Sequence, residues 1–257
     1  MRIEERDLEI AGDRIAARLW HPEGARGAPI LLFHDSLGSV ELWRDLPEVL
    51  ARESGRVVAA YDRAGFGRSM ARAGLPGVDF VADEARDVVP LVAGALGLDR
   101  FVAAGHSVGG GMAIETAAQH PDRVTGLITI SAQAFAEDRT LDGIRQARAK
   151  FADPAALERV ARYHGDKARW VVDAWTEVWL DPARVGWRLD TALSRVRCPV
   201  LAIHGGDDEY GSSAHPERIT GLTGGRQVIV PGAGHLPHRE APEVVMAAIL
   251  GFLTEVA

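Results

Sequence analysis

Three separated stretches of the chain supply a hydroxyl, a run of carboxylates and an imidazole, each beside glycines. Ser107 stands in Gly105-His106-Ser107-Val108-Gly109, straight after the apolar run Phe101–Ala104. Asp207, Asp208 and Glu209 follow Gly205-Gly206, and His235 follows Gly232-Ala233-Gly234. A free serine hydroxyl is a weak nucleophile, so acyl transfer at Ser107 needs a base and an acid that orients it. The order serine, acid, histidine supplies both. In such a set His235 takes the Ser107 proton, and an aspartate of the run fixes the ring tautomer and stabilises the imidazolium. The turn carrying the serine is so sharp that side chains two residues before and after it would collide, which calls for glycine at Gly105 and Gly109. The first donor to a developing oxyanion is then the backbone N–H of Val108, at the start of the following helix.

These residues need a frame that brings distant loops to one edge. Residues 3–10 and 14–20, separated by Ala11-Gly12-Asp13, read as an opening hairpin. Apolar strands then alternate with helical stretches: Ile30–Phe33, Val40–Arg52, Val57–Tyr61, Phe80–Leu96, Phe101–Ala104, Met112–Gln119 and Val124–Ile130. That alternation predicts an α/β fold, a parallel sheet covered on both faces. From Phe135 to Arg195 no strand is expected, and four of the six tryptophans, Trp170, Trp175, Trp179 and Trp187, fall in this helical stretch. The sheet pattern resumes at Pro199–Ile203, passes a short helix near Pro216–Leu222 and the strand Gln227–Val230, and closes with a helix over Pro242–Val256. The expected division is a core of residues 1–134 and 196–257 with a helical cap insertion of residues 135–195. Reactive groups collect at the carboxyl ends of such strands, where Ser107, the carboxylate run and His235 all fall.

With these motifs the chain resembles the α/β-hydrolase superfamily over essentially its whole length. The loop Asp62-Arg63-Ala64-Gly65-Phe66-Gly67-Arg68-Ser69 looks like the glycine-rich turn common there. The resemblance implies Asp208 as the acid, three residues after Gly205, with Asp207 as the fallback. It implies Ser36 as the second backbone donor of the oxyanion hole, within His34-Asp35-Ser36-Leu37-Gly38-Ser39. Asp35 stands where many members have glycine. Ser36-Leu37-Gly38 is also similar to the oxyanion loop of 3-oxoadipate enol-lactonases. The implied activity is that of a cofactor-independent serine hydrolase, opening a carboxylic ester or lactone through an acyl-enzyme. A carbon–carbon hydrolase of diketone-type substrates and a ligand-binding member without turnover are the alternatives. Epoxide opening and halide displacement need a carboxylate nucleophile, which Ser107 is not.

The remaining features set bounds. A formal net charge of −7 disfavours nucleic-acid binding. The acidic N-terminus and the lack of a long apolar run point to a soluble, cytoplasmic protein with a small-molecule ester or lactone substrate, no membrane partner and an unassigned oligomeric state. Cys198, the only cysteine, reads as a buried structural thiol. His235 and His238 with Asp207 and Asp208 are too sparsely spaced for a metal site, and no cofactor is expected. His238 reads as a surface or supporting residue, Asp62 and Arg68 as pins of their own loop, and Trp43, Trp175 and Trp179 chiefly as core. Phe66 and Phe135 are placed to line the crevice. The cations between Arg145 and Arg169 fit a solvated face, or else a carboxylate-bearing or coenzyme-A-linked substrate.

Overall fold

Ile30, Leu31, Leu32 and Phe33 are all buried, and they divide alternately between two hydrophobic clusters, Leu31 and Phe33 in one, Ile30 and Leu32 in the other. Because successive strand residues point to opposite faces, this strand must be covered on both. In the computed structural model, which describes residues 1–256, the strands are β1 (Arg2–Ile10), β2 (Asp13–His21), β3 (Ile30–Phe33), β4 (Val58–Tyr61), β5 (Phe101–His106), β6 (Val124–Ile130), β7 (Val200–Gly205) and β8 (Arg226–Val230). Among the described residues they form one sheet in the order β1-β2-β4-β3-β5-β6-β7-β8. The β1–β2 and β2–β4 pairs are antiparallel, and every later pairing is parallel. The chain steps outward from β3 to β4 and then returns to the other side of β3 with β5. Loops after β3 and β5 therefore meet at the point where the winding reverses, where open α/β sheets hold their sites.

One face of the sheet is covered by α1 (Leu46–Ser54) and α11 (Pro242–Leu253), through Leu50, Ile249 and Phe252. The other carries α2 (Phe80–Asp83), α3 (Val89–Ala95), α4 (Val108–Gln119), α8 (Asp190–Leu193) and α9 (Ala214–Thr223). Between β6 and β7 lie α5 (Asp138–Lys150), α6 (Pro154–His164), α7 (Ala168–Trp179) and α8, with one isolated bridge between Phe135 and Arg188.

Two expected helices are not single. Val40–Arg52 splits into a 3-10 turn at Val40–Trp43 and α1, with Arg44 at φ 53° between them. Pro47 has no N–H to donate to the carbonyl of Trp43, so it sits in a first turn. Phe80–Leu96 carries a π-helical segment at Glu84–Val88, directly ahead of Pro90, which cannot donate back to Arg86. The closing helix ends at Leu253, not Val256, and a short α10 (Pro237–Glu240) precedes it. Cys198 is half-buried, and burial pushes its thiol up to about 11.

Candidate active site

The end of β5 and the start of α4 leave a single residue to reverse the chain, and that residue is Ser107. It takes φ 54° and ψ −124°, a strained conformation for a residue with a side chain. A β-carbon on Gly105 would stand 2.1 Å from the carbonyl oxygen of Gly109, and one on Gly109 would stand 2.0 Å from that of Phe33. Both glycines are therefore obligatory for the turn. The Ser107 hydroxyl donates to Oε1 of Gln133 at 3.4 Å, and no hydrogen bond joins it to His235. Gln133 was not anticipated, although its place just past the carboxyl end of β6 is where such a residue would sit.

His235 Nδ1 lies 2.9 Å and 3.0 Å from the two carboxylate oxygens of Asp208. Asp208 is buried and also accepts the backbone N–H groups of Tyr210 and Gly211, at 2.8 Å and 3.1 Å, with His204 Nε2 at 3.4 Å. Burial works to raise its carboxyl, but the hydrogen bond and charge of His235 and the N–H of Tyr210 hold it below the ordinary carboxylate range. Asp207 is exposed, so the structure brings Asp208, not the fallback, to the imidazole. Glu209 accepts the N–H of His235, and Glu240 those of Gly234 and Leu236, which fixes the backbone of the histidine loop. His238 is buried rather than on the surface: it packs on Trp43 and His106 with ring centroids 5.6 Å and 4.8 Å away. It does not join His235 and the aspartates in a cluster.

The loop after β3 is braced from behind. His34 donates from Nδ1 to the carbonyl of Asp35 at 2.8 Å and accepts the N–H of Arg63 on Nε2 at 3.1 Å, while the Arg63 guanidinium donates to the same carbonyl at 2.8 Å. Burial, and then the charge of Arg63, hold the His34 ring well below its ordinary pKa, as this neutral tautomer requires. Arg63 thus serves the loop rather than the crevice. Asp62 pins its own turn by accepting the N–H groups of Val40 and Arg68 at 2.7 Å and 2.8 Å. Among the described residues, neither the Ser36 N–H nor the Val108 N–H is spent on a protein acceptor.

Ser107, His235, Ser36 and Gln133 face a cavity of about 170 Å³. Its far wall is Ile144, Trp175 and Trp179, so both tryptophans line it, and Trp179 is at the same time part of the core. Phe66 and Phe135 are not at the wall: Phe66 is buried against Trp170 and His164, and Phe135 packs on His215. The titratable residues that line the cavity besides His235 are Asp35, Glu209, Glu240 and Tyr210, with no Lys or Arg among them. Of the cations between β6 and β7, Arg145 pairs with Asp142, Arg148 with Glu177 and Arg169 with Asp173, and Lys167 donates to the carbonyls of Phe66, Gly67 and Ser69. Among the described residues no helix is long and apolar enough to cross a membrane.

Residues 28–161, more than half of the chain, match the family model described as alpha/beta hydrolase fold. A protein of Caulobacter sp. (strain K31), provisionally named carbamate hydrolase RutD, is 29% identical over 243 residues, covering 84% of this chain and 87% of its own. The pimeloyl-(acyl-carrier protein) methyl ester esterase of Edwardsiella ictaluri (strain 93-146) is 29% identical over 268 residues, covering 93% of this chain and 98% of its own. In fold, the chain is similar to the enol-lactonase of Burkholderia xenovorans LB400, with a TM-score of 0.75 at 20% identity, over 97% of this chain and 100% of that one.

Proposed function

The chain belongs to the alpha/beta hydrolase fold family, and from that premise we propose that it is a serine hydrolase cleaving a carboxylic ester or lactone through an acyl-enzyme. The observation that carries the proposal is the bifurcated contact of buried Asp208 with Nδ1 of His235, whose ring lines the same cavity as Ser107. With Nδ1–H donated to Asp208, Nε2 of His235 keeps its lone pair as the base. For attack, the Ser107 hydroxyl leaves Gln133 and gives its proton to Nε2 of His235. Attack of Oγ on the carbonyl carbon yields a tetrahedral intermediate whose oxyanion accepts from the N–H groups of Ser36 and Val108. The His235 imidazolium then protonates the departing alkoxide, which in a lactone stays tethered to the acyl chain. Water, deprotonated by His235, attacks the acyl-enzyme to release the acid and regenerate Ser107.

The wall supports a particular kind of substrate. A cavity of about 170 Å³ lined by Ile144 and two indoles suits a short apolar acyl group or a small lactone ring. Glu209 and Glu240, with no Lys or Arg in the lining, disfavour a carboxylate-bearing or coenzyme-A-linked substrate by like-charge repulsion. In this proposal residues 135–195 are the cap that supplies Thr140, Ile144, Trp175 and Trp179, while residues 1–134 and 196–257 hold the reacting groups.

The test is turnover by the purified protein on a panel of short p-nitrophenyl esters, small lactones, p-nitrophenyl carbamates and 1,3-diketones, with a fluorophosphonate probe followed by mass spectrometry of the peptide containing Ser107. Ester or lactone turnover and a label on Ser107 are expected. Preferential turnover of carbamates or diketones would move the substrate class, and no turnover with no label would overturn the proposal.

A further inference from the structure

His106, the residue ahead of Ser107, has both ring nitrogens aimed at acceptors. Its Nε2 lies 2.8 Å from the carbonyl oxygen of His235, and its Nδ1 lies 3.3 Å from Oδ2 of Asp35. A backbone carbonyl only accepts, so Nε2 carries a hydrogen, and at 3.3 Å from a carboxylate oxygen Nδ1 has a favourable contact only when it carries one too. The His106 side chain is only 3% exposed, so an imidazolium there needs a counter-charge in contact, and Asp35 supplies it. The other titratable or charged groups facing this couple are His34, His235, His238 and Arg239. Arg239 is the cation among them with permanent charge.

We propose that Asp35 and His106 form an ion pair at the cavity wall that positions the oxyanion loop and the His235 backbone against Ser107, and that Asp35 is a positioning residue of the active site. The couple joins three loops: Asp35 precedes Ser36, His106 precedes Ser107, and the ring holds the carbonyl of His235. Asp35 has little freedom of its own. Its carbonyl is held by His34 and Arg63, and its Oδ1 fills the space where a β-carbon on Gly38 would come within 2.2 Å. Burial works to raise the Asp35 carboxyl, but the hydrogen bond and charge of His106 outweigh it and keep the group ionised. An unpaired carboxylate next to Ser36 would oppose the negative charge that develops on the reacting carbonyl oxygen. The imidazolium cancels that opposition while leaving both N–H donors free.

The kinetic part of the test rests on the serine-hydrolase proposal above, and the spectroscopic part does not. In the wild-type protein at pH 7, ring-selective ¹⁵N–¹H correlation spectra, assigned with His106→Gln, should show hydrogens on both nitrogens of His106. In Asp35→Asn the amide can donate to Nδ1 of a neutral ring, so the fold survives and His106 should show a hydrogen on Nε2 alone. On the best ester, Asp35→Asn should lower kcat by roughly tenfold to a hundredfold with KM nearly unchanged, because alignment in the transition state is lost and substrate binding is not. A neutral His106 in the wild type overturns the pair, and full turnover by Asp35→Asn overturns the positioning role. If the wild type turns over no substrate, the hydrolase proposal fails and the ring spectrum alone decides the pair.

Discussion

Adjacent carboxylates in one loop meet opposite fates because only one of them points inward. Asp208 is buried and accepts from His235, Tyr210 and Gly211, while Asp207 stands in solvent. Asp208→Asn replaces an acceptor with an amide that can present a donor to Nδ1, favouring the wrong tautomer of His235. It should lower kcat by about 10⁴-fold, whereas Asp207→Asn should leave kcat within about threefold of wild type; steady-state kinetics of both on one ester separates them. Ser107→Ala should abolish turnover and probe labelling with no change in thermal midpoint. The serine and the imidazole were legible in the sequence because glycines at fixed offsets announce a turn with no room for side chains, as Gly105 and Gly109 do. Asp208 was singled out only by family resemblance, since nothing in Asp207-Asp208-Glu209 says which side chain faces inward. Gln133 and the Asp35–His106 couple were illegible, because each depends on which side chains meet where separate strands end at one edge of the sheet.

At the scale of elements, what could be read was periodicity, and what could not was interruption. The strands were legible because alternate residues feed two clusters, and the elbow because an apolar strand runs straight into small residues. The break at Arg44 and the π-segment at Glu84–Val88 depend on where a proline's missing N–H falls within a turn, which an apolar pattern does not carry. The crossing of Gly109 under the Phe33 carbonyl makes the β3–α4 contact unforgiving. Gly109→Ala should cost about 3 kcal/mol in urea unfolding, since backbone rather than a movable side chain meets the added methyl. The helices between β6 and β7 are tied down in the same local manner. Lys167 offers three N–H donors to three carbonyls, those of Phe66, Gly67 and Ser69, at 3.3 Å, 2.7 Å and 2.5 Å. Lys167→Met strands those carbonyls and should cost roughly 1–3 kcal/mol, read as earlier proteolysis between α6 and α7 than in the wild type.

Across the whole molecule, neutral histidines act as joints between parts that are distant in sequence. His164 accepts the N–H of Gly67 on Nδ1 at 2.9 Å and hydrogen-bonds the carbonyl of Leu37 through Nε2 at 3.0 Å, tying α6 to the loops after β3 and β4. His215 accepts the N–H of Ala134 at 3.2 Å and meets Glu137 at 3.0 Å, tying α9 to the segment between β6 and α5. His34 joins the same two loops that His164 does. A ring that accepts a backbone N–H cannot take a proton there without setting donor against donor. Burial is the leading cause that holds His34, His164, His204, His215 and His238 below the ordinary value of 6.5. Unfolded chains therefore bind more protons than the native protein once the pH drops below about 6.5, and stability falls with pH from there toward the depressed native values. Asp35 and Asp208, lowered from 3.8, add losses only at more acid pH. Asp62 and Glu84, raised by burial, oppose the trend by holding protons in the native state, as the proposed His106 imidazolium does, but these are three against five. Urea unfolding should show stability declining between pH 7 and pH 5.5 with net proton uptake on unfolding. Hydrogen exchange, corrected for intrinsic rates, should show the amides of Gly67 and Ala134 losing protection earlier in that descent than the core amides of β5, because acid attacks the joints before the sheet. A flat stability profile over that interval would mean that these rings titrate alike in the folded and unfolded chain.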